Sequence, residues 1–229
     1  MFVGIEERKR IAAKVACDFI EDGMVIGVGS GSTVRHFIEL LGQKIREENL
    51  KDIVAVPSSY ETHFLLAKNN VRIASLVEYD QLDITIDGAD SVLLENKVLV
   101  KGGGGALFRE KIINYAAKRL VIIVDDTKID RSFPIPVEVH VFAIGYVVRE
   151  LKERGFKVRV RESKCKVGPC ISDNGNILLD IDIPLELVNA GLEKELNAIP
   201  GVIENGIFSR EAEVIVGKAD GSYDILWRK

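Results

Sequence analysis

The chain has 229 residues, of which 47% are hydrophobic and 29% are charged, an ordinary balance for a globular protein with one large domain or with a large and a small one. Thirty-one basic residues against thirty-five acidic residues give a net charge of −4, which disfavours nonspecific binding to nucleic acid and to anionic membranes. No apolar run approaches the roughly 20 residues of a membrane span, and the N-terminus has no apolar signal core, so we expect a cytoplasmic protein.

The three cysteines, Cys17, Cys165 and Cys170, are an odd number, which fits free thiols better than a disulfide framework. The three histidines are scattered far from Cys165 and Cys170, so a structural zinc site is not expected there. We expect neither a metal ion nor another cofactor.

The first half of the chain alternates helix and strand patterns. Apolar residues at helical spacing predict a first helix through residues 11–20, with Gly23 as its stop. Further helices are predicted through residues 34–41, 64–65 and 106–117, and strands at residues 24–28, 53–56, 71–74, 84–86, 98–100 and 120–124. This alternation predicts an α/β domain with a parallel sheet that is covered on both faces.

After Lys128 the pattern changes. Strands are predicted at residues 137–142, 157–160, 177–181 and 202–208, helices at residues 144–154 and 184–198, and a tight turn at residues 173–176. This β-α-β-β-α-β order is the split pattern of a ferredoxin-like unit. We therefore place a smaller α+β domain at residues 132–208, inserted late in a main domain of residues 1–131 and 209–229. The last predicted strands, 213–217 and 224–227, would return to the main domain.

A lysine and four glycines form the most unusual stretch of the chain, Lys101 to Gly105. Successive residues without a Cβ let backbone amides approach a ligand closely. We interpret Lys101, Gly102, Gly103 and Gly104 as part of a substrate cradle, with Glu110 at its other end. A flexible linker is the alternative, although both flanks have the patterns of ordered elements.

A second glycine-containing loop, formed by Gly29, Ser30, Gly31, Ser32 and Thr33, joins a predicted strand to a helix N-terminus. Free amides and the helix dipole favour an anion such as phosphate there, and the three hydroxyl groups add donors. The loop lacks the lysine of a Walker motif and the third glycine of the dinucleotide fingerprint. A tight turn with Ser32 or Thr33 as the N-cap is the alternative.

Three carboxylates follow these loops or lie near them. Asp87 and Asp90 are separated only by glycine and alanine. Of two such close carboxylates, one can serve as an acid and the other as a proton acceptor. An Asx-turn with a helix cap and a magnesium site are the alternatives. Glu110 would lie about one turn into the helix after the glycines, where it is predicted to be an ionised general base or, alternatively, a surface residue paired with a lysine.

Ligands of open α/β sheets bind beyond the carboxyl ends of the strands, where these loops fall together with residues 57–59 and 125–128. The combined groups are a phosphate cradle, carboxylates and lysines, which suit proton transfer on a phosphorylated sugar. Removal of a proton next to a carbonyl gives an enediolate, whose negative oxygen needs fixed positive donors such as Lys101 and the glycine amides.

Several segments, in this order, resemble the ribose-5-phosphate isomerase type A family. They are GVGSGST (27–33), IDGAD (86–90), KGGGGAL (101–107), REK (109–111), FPIPVEV (133–139), DNGN (173–176) and IPGV (199–202). The resemblance covers nearly the whole chain. It implies a Rossmann-like main domain, a ferredoxin-like lid domain, and a homodimer or homotetramer.

The resemblance also implies metal-free interconversion of D-ribose 5-phosphate and D-ribulose 5-phosphate through an enediolate, in the pentose phosphate pathway. By position, Glu110 resembles the base that moves the proton between carbons 1 and 2, and Asp87 resembles the group that helps to open the furanose ring. Asp90 and Lys101 resemble the groups that orient and stabilise the enediolate. The residues that resemble substrate-binding positions are Lys9, Ser30, Ser32, Thr33 and Lys128.

Two positions depart from the family pattern: Ser91 stands where glutamate is frequent, and Phe108 where threonine is common. An amino-sugar phosphate deaminase and a phosphogluconolactonase are the nearest rival functions. A deaminase would be expected to place a histidine in the loops, and none falls there. A nonenzymatic sugar-phosphate sensor is a further rival, which would need the phosphate cradle but not Glu110.

Overall fold

The structure is a computed structural model that describes residues 2–165 and 167–227. The α-helices of these residues are α1 (Ile5–Cys17), α2 (Ser32–Arg46), α3 (Tyr60–Lys68), α4 (Leu107–Ala116), α5 (Ile144–Glu153) and α6 (Ala190–Asn197). The strands are β1 (Val25–Val28), β2 (Val54–Pro57), β3 (Arg72–Ile73), β4 (Leu82–Asp87), β5 (Ser91–Leu93), β6 (Val98–Val100), β7 (Ala117–Asp125), β8 (Ile135–Val139), β9 (Lys157–Val160), β10 (Ile177–Asp182), β11 (Val202–Asn205), β12 (Ile207–Phe208), β13 (Glu213–Gly217) and β14 (Tyr223–Leu226).

The chain divides into two compact units. Unit 1 consists of the described residues up to Ala89, of Arg109–Lys128, and of those from Glu211 onward. Unit 2 consists of Asp90–Phe108 and Ile129–Arg210. Residues 90–108, which the sequence pattern placed in the main domain, therefore lie in unit 2. No helix within residues 2–165 and 167–227 has both the length and the apolar character that crossing a membrane requires.

The sheet of unit 1 has seven strands in the order β14-β13-β7-β4-β1-β2-β3. All neighbouring pairs are parallel except β13 and β14, which are antiparallel at the edge. The predicted α/β fold with a parallel sheet is thus confirmed. Helices cover both faces of such a sheet, so its central strands are buried. Ile26 and Val28 of β1 and Ile84 and Ile86 of β4 lie at most 2% exposed in one core.

The order of the strands reverses next to β1. From β1 the chain proceeds outward through β2 to β3, whereas β4, β7 and β13 extend the sheet on the other side. Ligands of open α/β sheets bind at such a switch point, beyond the carboxyl ends of the two strands. The register pairs Val28 with Ile86, so Gly29, which follows β1, and Asp87, the last residue of β4, are neighbours there.

Unit 2 contains a four-stranded antiparallel sheet in the order β11-β8-β10-β9, with α5 and α6 in the connections. This is the ferredoxin-like arrangement that the sequence pattern predicts. The helix predicted at residues 184–198 is shorter, because Asn189 caps α6 by accepting the N–H groups of Gly191 and Leu192. Leu185–Leu187 instead form a 3-10 turn.

A second, three-stranded antiparallel sheet in unit 2 has the order β12-β6-β5. The assignment of residues 98–100 to the parallel sheet is therefore wrong. The single strand predicted at residues 202–208 is also wrong, because Gly206 divides it between two sheets. Gly206 donates its N–H to Pro136 (2.7 Å) and accepts the N–H of Lys101 (2.9 Å), and a Cβ there would lie 2.4 Å from the Lys101 carbonyl oxygen.

Candidate active site

The loop after β1 is held by the carboxylate at the end of β4. Asp87 is completely buried, and its Oδ1 accepts the N–H groups of Gly88 (2.7 Å) and Ser30 (3.4 Å). A Cβ at Gly29 would lie 1.8 Å from Asp87 Oδ1, so only glycine lets the loop come this close. The structure therefore brings together two features that were predicted separately, the loop and the aspartate.

The hydroxyl group of Ser30 belongs to a cluster of hydroxyl side chains. Ser30 Oγ lies 2.8 Å from the Oγ atoms of Ser58 and Ser59, and Thr62 Oγ1 donates to the carbonyl of Gly29 over 2.7 Å. Ser59 is the N-cap of α3 and accepts the N–H of Thr62. Sequence reasoning missed Thr62, although the three-residue spacing from a capping serine was an available signal.

The N-terminus of α2 follows this loop directly. The helix begins at Ser32 with Gly31 as its N-cap, at φ +111°, so neither Ser32 nor Thr33 is the cap. The N-cap makes no side-chain hydrogen bond to the first turn. Gly31 and Ser32 are exposed and Thr33 is buried. Amides of a first turn without a capping side chain are suited to bind an anion.

Helix α4 presents Glu110 and Asn114, which are four residues apart and therefore lie on one face. Glu110 is 5% exposed and Asn114 is completely buried, which does not fit a surface glutamate. Asn114 donates from Nδ2 to Oδ2 of Asp87 over 3.2 Å. Asp87 therefore accepts hydrogen bonds on both oxygens. Sequence reasoning missed Asn114, whose four-residue spacing from Glu110 was the signal.

In unit 2, Asp90, Lys101 and the glycines form an ordered group. Asp90 donates its N–H to the Val100 carbonyl (2.8 Å), and its Oδ2 accepts the N–H of Gly103 (2.7 Å). Gly105 donates to the carbonyl of Gly102 (3.0 Å), which closes a turn. Lys101 is 2% exposed, and its Nζ lies 5.4 Å from the centre of the Phe208 ring, a cation–π distance. The glycines are thus a defined turn and not a loose linker.

The two lysines that resemble substrate contacts lie in neighbouring parts of unit 1. Lys9 on α1 is paired with Glu6 over 2.7 Å. Lys128 ends a 3-10 turn, Asp126–Lys128, after β7. Arg8 joins α1 to this turn, because its Nη1 donates to Asp126 Oδ1 over 2.7 Å. Within residues 2–165 and 167–227 there is no group of three or more His, Cys, Asp or Glu side chains that could hold a metal ion.

The family model, the curated relatives and the solved structures that follow all name the same family. The family model described as ribose 5-phosphate isomerase A (phosphoriboisomerase A) matches residues 54–221. A ribose-5-phosphate isomerase A from Archaeoglobus fulgidus is 51% identical over 204 residues, which cover 87% of this chain and 89% of the relative. The solved ribose 5-phosphate isomerase A from Methanocaldococcus jannaschii has a TM-score of 0.92 at 42% identity and covers 97% of this chain and 99% of its own.

A further solved structure, of a D-ribose-5-phosphate isomerase in complex with phospho-erythronic acid, also has a TM-score of 0.92. It is 44% identical and covers 99% of this chain and 100% of its own. The family model matches most of the chain, and these relatives cover nearly all of it at well over 30% identity. The chain therefore belongs to the ribose 5-phosphate isomerase A family, a family of isomerases.

Proposed function

We propose that the protein interconverts D-ribose 5-phosphate and D-ribulose 5-phosphate through an enediolate, with a carboxylate base and without a metal ion. The observation that carries the proposal is a link between two buried acidic side chains, Glu110 on α4 and Asp87 on β4. Glu110 lies one turn before Asn114, and Asn114 is hydrogen-bonded to Asp87. Asp87 contacts the phosphate-type loop, and Asn114 links it to the helix that carries the second buried carboxylate, Glu110. Such a pair of carboxylates suits acid/base chemistry on a sugar phosphate. One relative holds phospho-erythronic acid, a phosphorylated sugar acid, which supports this class of ligand.

The loop after β1 and the first turn of α2 would bind the phosphate. Backbone N–H groups at a helix N-terminus and the positive end of the helix dipole favour a doubly charged anion. Gly31 and Ser32 are exposed and accessible to a ligand. The Ser30 hydroxyl is hydrogen-bonded to Ser58 and Ser59 and would stabilise the conformation of the loop. Lys9 and Lys128 would add positive charge near the substrate.

Glu110 would carry out the proton transfer. Its carboxylate removes the proton from carbon 2 of the open-chain aldose, and the electron pair of that C–H bond forms the enediolate. The same group returns the proton to carbon 1, while the proton of the hydroxyl on carbon 2 passes to the oxygen on carbon 1, which yields the ketose. A general base of this kind typically contributes about 10²–10⁴-fold to the rate.

Asp87, Asp90 and Lys101 would serve the steps on either side of this transfer. Asp87 would assist opening of the furanose ring, for which its two hydrogen-bonded oxygens give it a fixed orientation. Asp90 and Lys101 would orient the substrate and stabilise the negative oxygen of the enediolate together with the amides of the glycine turn. The sugar-phosphate substrate belongs to the pentose phosphate pathway, which supports a cytoplasmic enzyme, and we propose that it works as a homodimer or homotetramer.

The test is isomerisation of D-ribose 5-phosphate, measured as formation of ketose, with and without a chelator. Equal activity in both conditions is the expected result. Activity that the chelator abolishes would contradict the metal-free mechanism. Asp87 and Asp90 would then be assigned as metal ligands. Absence of activity would contradict the isomerase assignment and favour a deaminase, a lactonase or a sensor, and binding of the same sugar phosphate would then single out the sensor.

A further inference from the structure

An arginine of unit 2 holds the carbonyl side of the glycine turn. Arg161 follows β9 directly, and its N–H donates to the carbonyl of Leu178 on β10 over 2.9 Å. Its Nη1 donates to the carbonyl oxygens of Gly102 (2.9 Å) and Gly103 (3.2 Å). One guanidinium group thus contacts two successive peptide groups of the segment in which Lys101 lies.

Asp180 on β10 orients this guanidinium group. Arg161 donates from Nε to Asp180 Oδ2 over 3.0 Å and from Nη2 to Oδ1, and each of the two side chains is 16% exposed. A planar guanidinium group that is bound at two points by a carboxylate has no remaining freedom to rotate. Its third nitrogen, Nη1, therefore points in one direction, toward the glycine turn.

The contact with the two carbonyls determines where the amides of the turn point. In a trans peptide the C=O and N–H bonds point in opposite directions, and the described residues contain no cis peptide bond. Because the Gly102 carbonyl faces Arg161, the N–H of Gly103 points away from it, to Asp90 Oδ2 at 2.7 Å. Because the Gly103 carbonyl also faces Arg161, the N–H of Gly104 is turned away from Arg161 in the same manner.

The amide of Gly104 is open to a ligand. Gly104 is exposed, and a Cβ built on it would meet no atom within 4 Å. Among the described residues no protein group accepts its N–H. An amide that is fixed, belongs to an exposed residue and has no protein acceptor is the type of donor that stabilises a developing oxyanion. A cation on the preceding carbonyl polarises that amide further.

We propose that Arg161, held by Asp180, is a positioning residue for the isomerase reaction. It orients the peptide groups of the glycine turn so that Gly104 N–H faces the substrate oxygen that becomes negative in the enediolate, while Gly103 N–H keeps Asp90 in place. This inference rests on the proposed isomerase function. Arg161 itself acts through the glycine turn and needs no contact with the substrate.

The same two strands provide a matched control. Arg159 also forms two hydrogen bonds to an aspartate, Asp182, two residues away on each chain segment. It donates from Nη1 to Oδ2 and from Nη2 to Oδ1, the latter over 2.8 Å. This pair is exposed, at 45% and 41%, and neither residue contacts the glycine turn within the described part of the chain. Loss of Arg159 therefore removes an arginine–aspartate pair from the sheet and leaves the turn untouched.

The experiment compares the steady-state kinetics of Arg161→Ala, Arg159→Ala and the unmodified protein on D-ribose 5-phosphate. We expect kcat of Arg161→Ala to fall about 10- to 100-fold, the effect of a small misplacement of catalytic groups, with KM little changed. Arg159→Ala should keep the original kcat. Added guanidinium ion should restore part of kcat in Arg161→Ala only, because it can fill the vacated position between Asp180 and the carbonyls.

A second variant, Arg161→Lys, keeps the positive charge but lacks the planar guanidinium group with its several donors. We expect it to have an intermediate kcat at an unchanged melting temperature. Equal kcat values for Arg161→Ala and Arg159→Ala would overturn the inference. A loss of kcat that matches a loss of folded protein in circular dichroism and that guanidinium ion does not relieve would also overturn it, since this is the behaviour of a structural residue. Failure of the proposed function is distinguishable, because the unmodified protein would then show no isomerisation.

Discussion

Asn114 and Asp87 are joined by a hydrogen bond of 3.2 Å between two completely buried side chains. The bond links the last turn of α4 to the last residue of β4, across 27 residues of sequence. It also relates the two proposed acid/base groups, because Glu110 lies one turn before Asn114 on the same face of α4. The orientation of this helix is therefore set at the point where the chemistry is proposed to occur.

Replacement of Asn114 by leucine tests this link. The substitution keeps the approximate size of the side chain but removes a donor from the buried Asp87 carboxylate. We expect the free energy of unfolding to fall by about 1–3 kcal/mol, the usual effect of removing one partner of a buried hydrogen bond. Urea denaturation and kcat measure the two effects. Unchanged stability together with unchanged kcat would contradict the role given to this bond.

Replacement of Glu110 by glutamine tests the general base. The amide cannot accept the proton from carbon 2, so we expect kcat to fall by about 10²–10⁴-fold or more while KM changes little. Glu39→Gln, on the exposed side of α2, removes the same charge away from the site and serves as the control. Near-original turnover in Glu110→Gln would rule out this assignment.

Replacement of Gly29 by alanine tests the close approach of the loop to Asp87. The new methyl group would overlap Asp87 Oδ1 and Cγ, which lie 1.8 and 2.1 Å from the ideal Cβ position. Asp87 or the loop must move, so we expect both substrate affinity and kcat to decrease. Gly145→Ala on α5, where a Cβ meets nothing within 4 Å, should retain full activity. Equal kinetics for the two variants would refute the steric argument.

The pH dependence of stability can be tested at Asp83. The hydrogen bond from Lys118 Nζ (2.8 Å) and then that from the N–H of Val25 (3.0 Å) hold the pKa of Asp83 below its ordinary value of 3.8. A lowered folded-state pKa stabilises the protein above the ordinary pKa, and this contribution is lost as the pH falls through the lowered value.

We therefore expect Asp83→Asn to reduce the free energy of unfolding at neutral pH by about 1 kcal/mol or less, since Lys118 is largely exposed. The difference from the unmodified protein should shrink once the pH is below about 4. Urea denaturation at both pH values provides the measurement. A difference of the same size at both would show that the charge of Asp83 is not involved.

Much of unit 1 could be predicted because β1, β2 and residues 120–124 of β7 are largely buried and therefore appear as apolar runs between helical patterns. The three apolar residues of β6 fit a buried strand of a parallel sheet and of an antiparallel sheet equally well. Its actual partners are β5 and β12, and β12 lies more than 100 residues further along the chain. The sequence pattern contains no information on that pairing, nor on the division of residues 202–208 at Gly206.

The candidate site, too, could be predicted only in part from the sequence. Loops with an unusual local composition, such as the glycines after Lys101 and the segment with Asp87 and Asp90, could be found from the sequence alone. Supporting side chains could not, because each is defined by a partner that is distant in sequence. Arg161 contacts a glycine that precedes it by 59 residues, and neither residue suggests the other. Roles assigned to individual residues from the resemblance remain predictions.

The position of β13 has a consequence for folding during synthesis. This strand lies between β7 and β14 in the sheet of unit 1, but it consists of residues 213–217, near the end of the sequence. All segments of unit 2 precede it, since they end at Arg210. Every segment of unit 2 is therefore synthesised while β7 still has an unpaired edge. We expect the open edge of β7 to be the most aggregation-prone surface of the chain until β13 pairs with it.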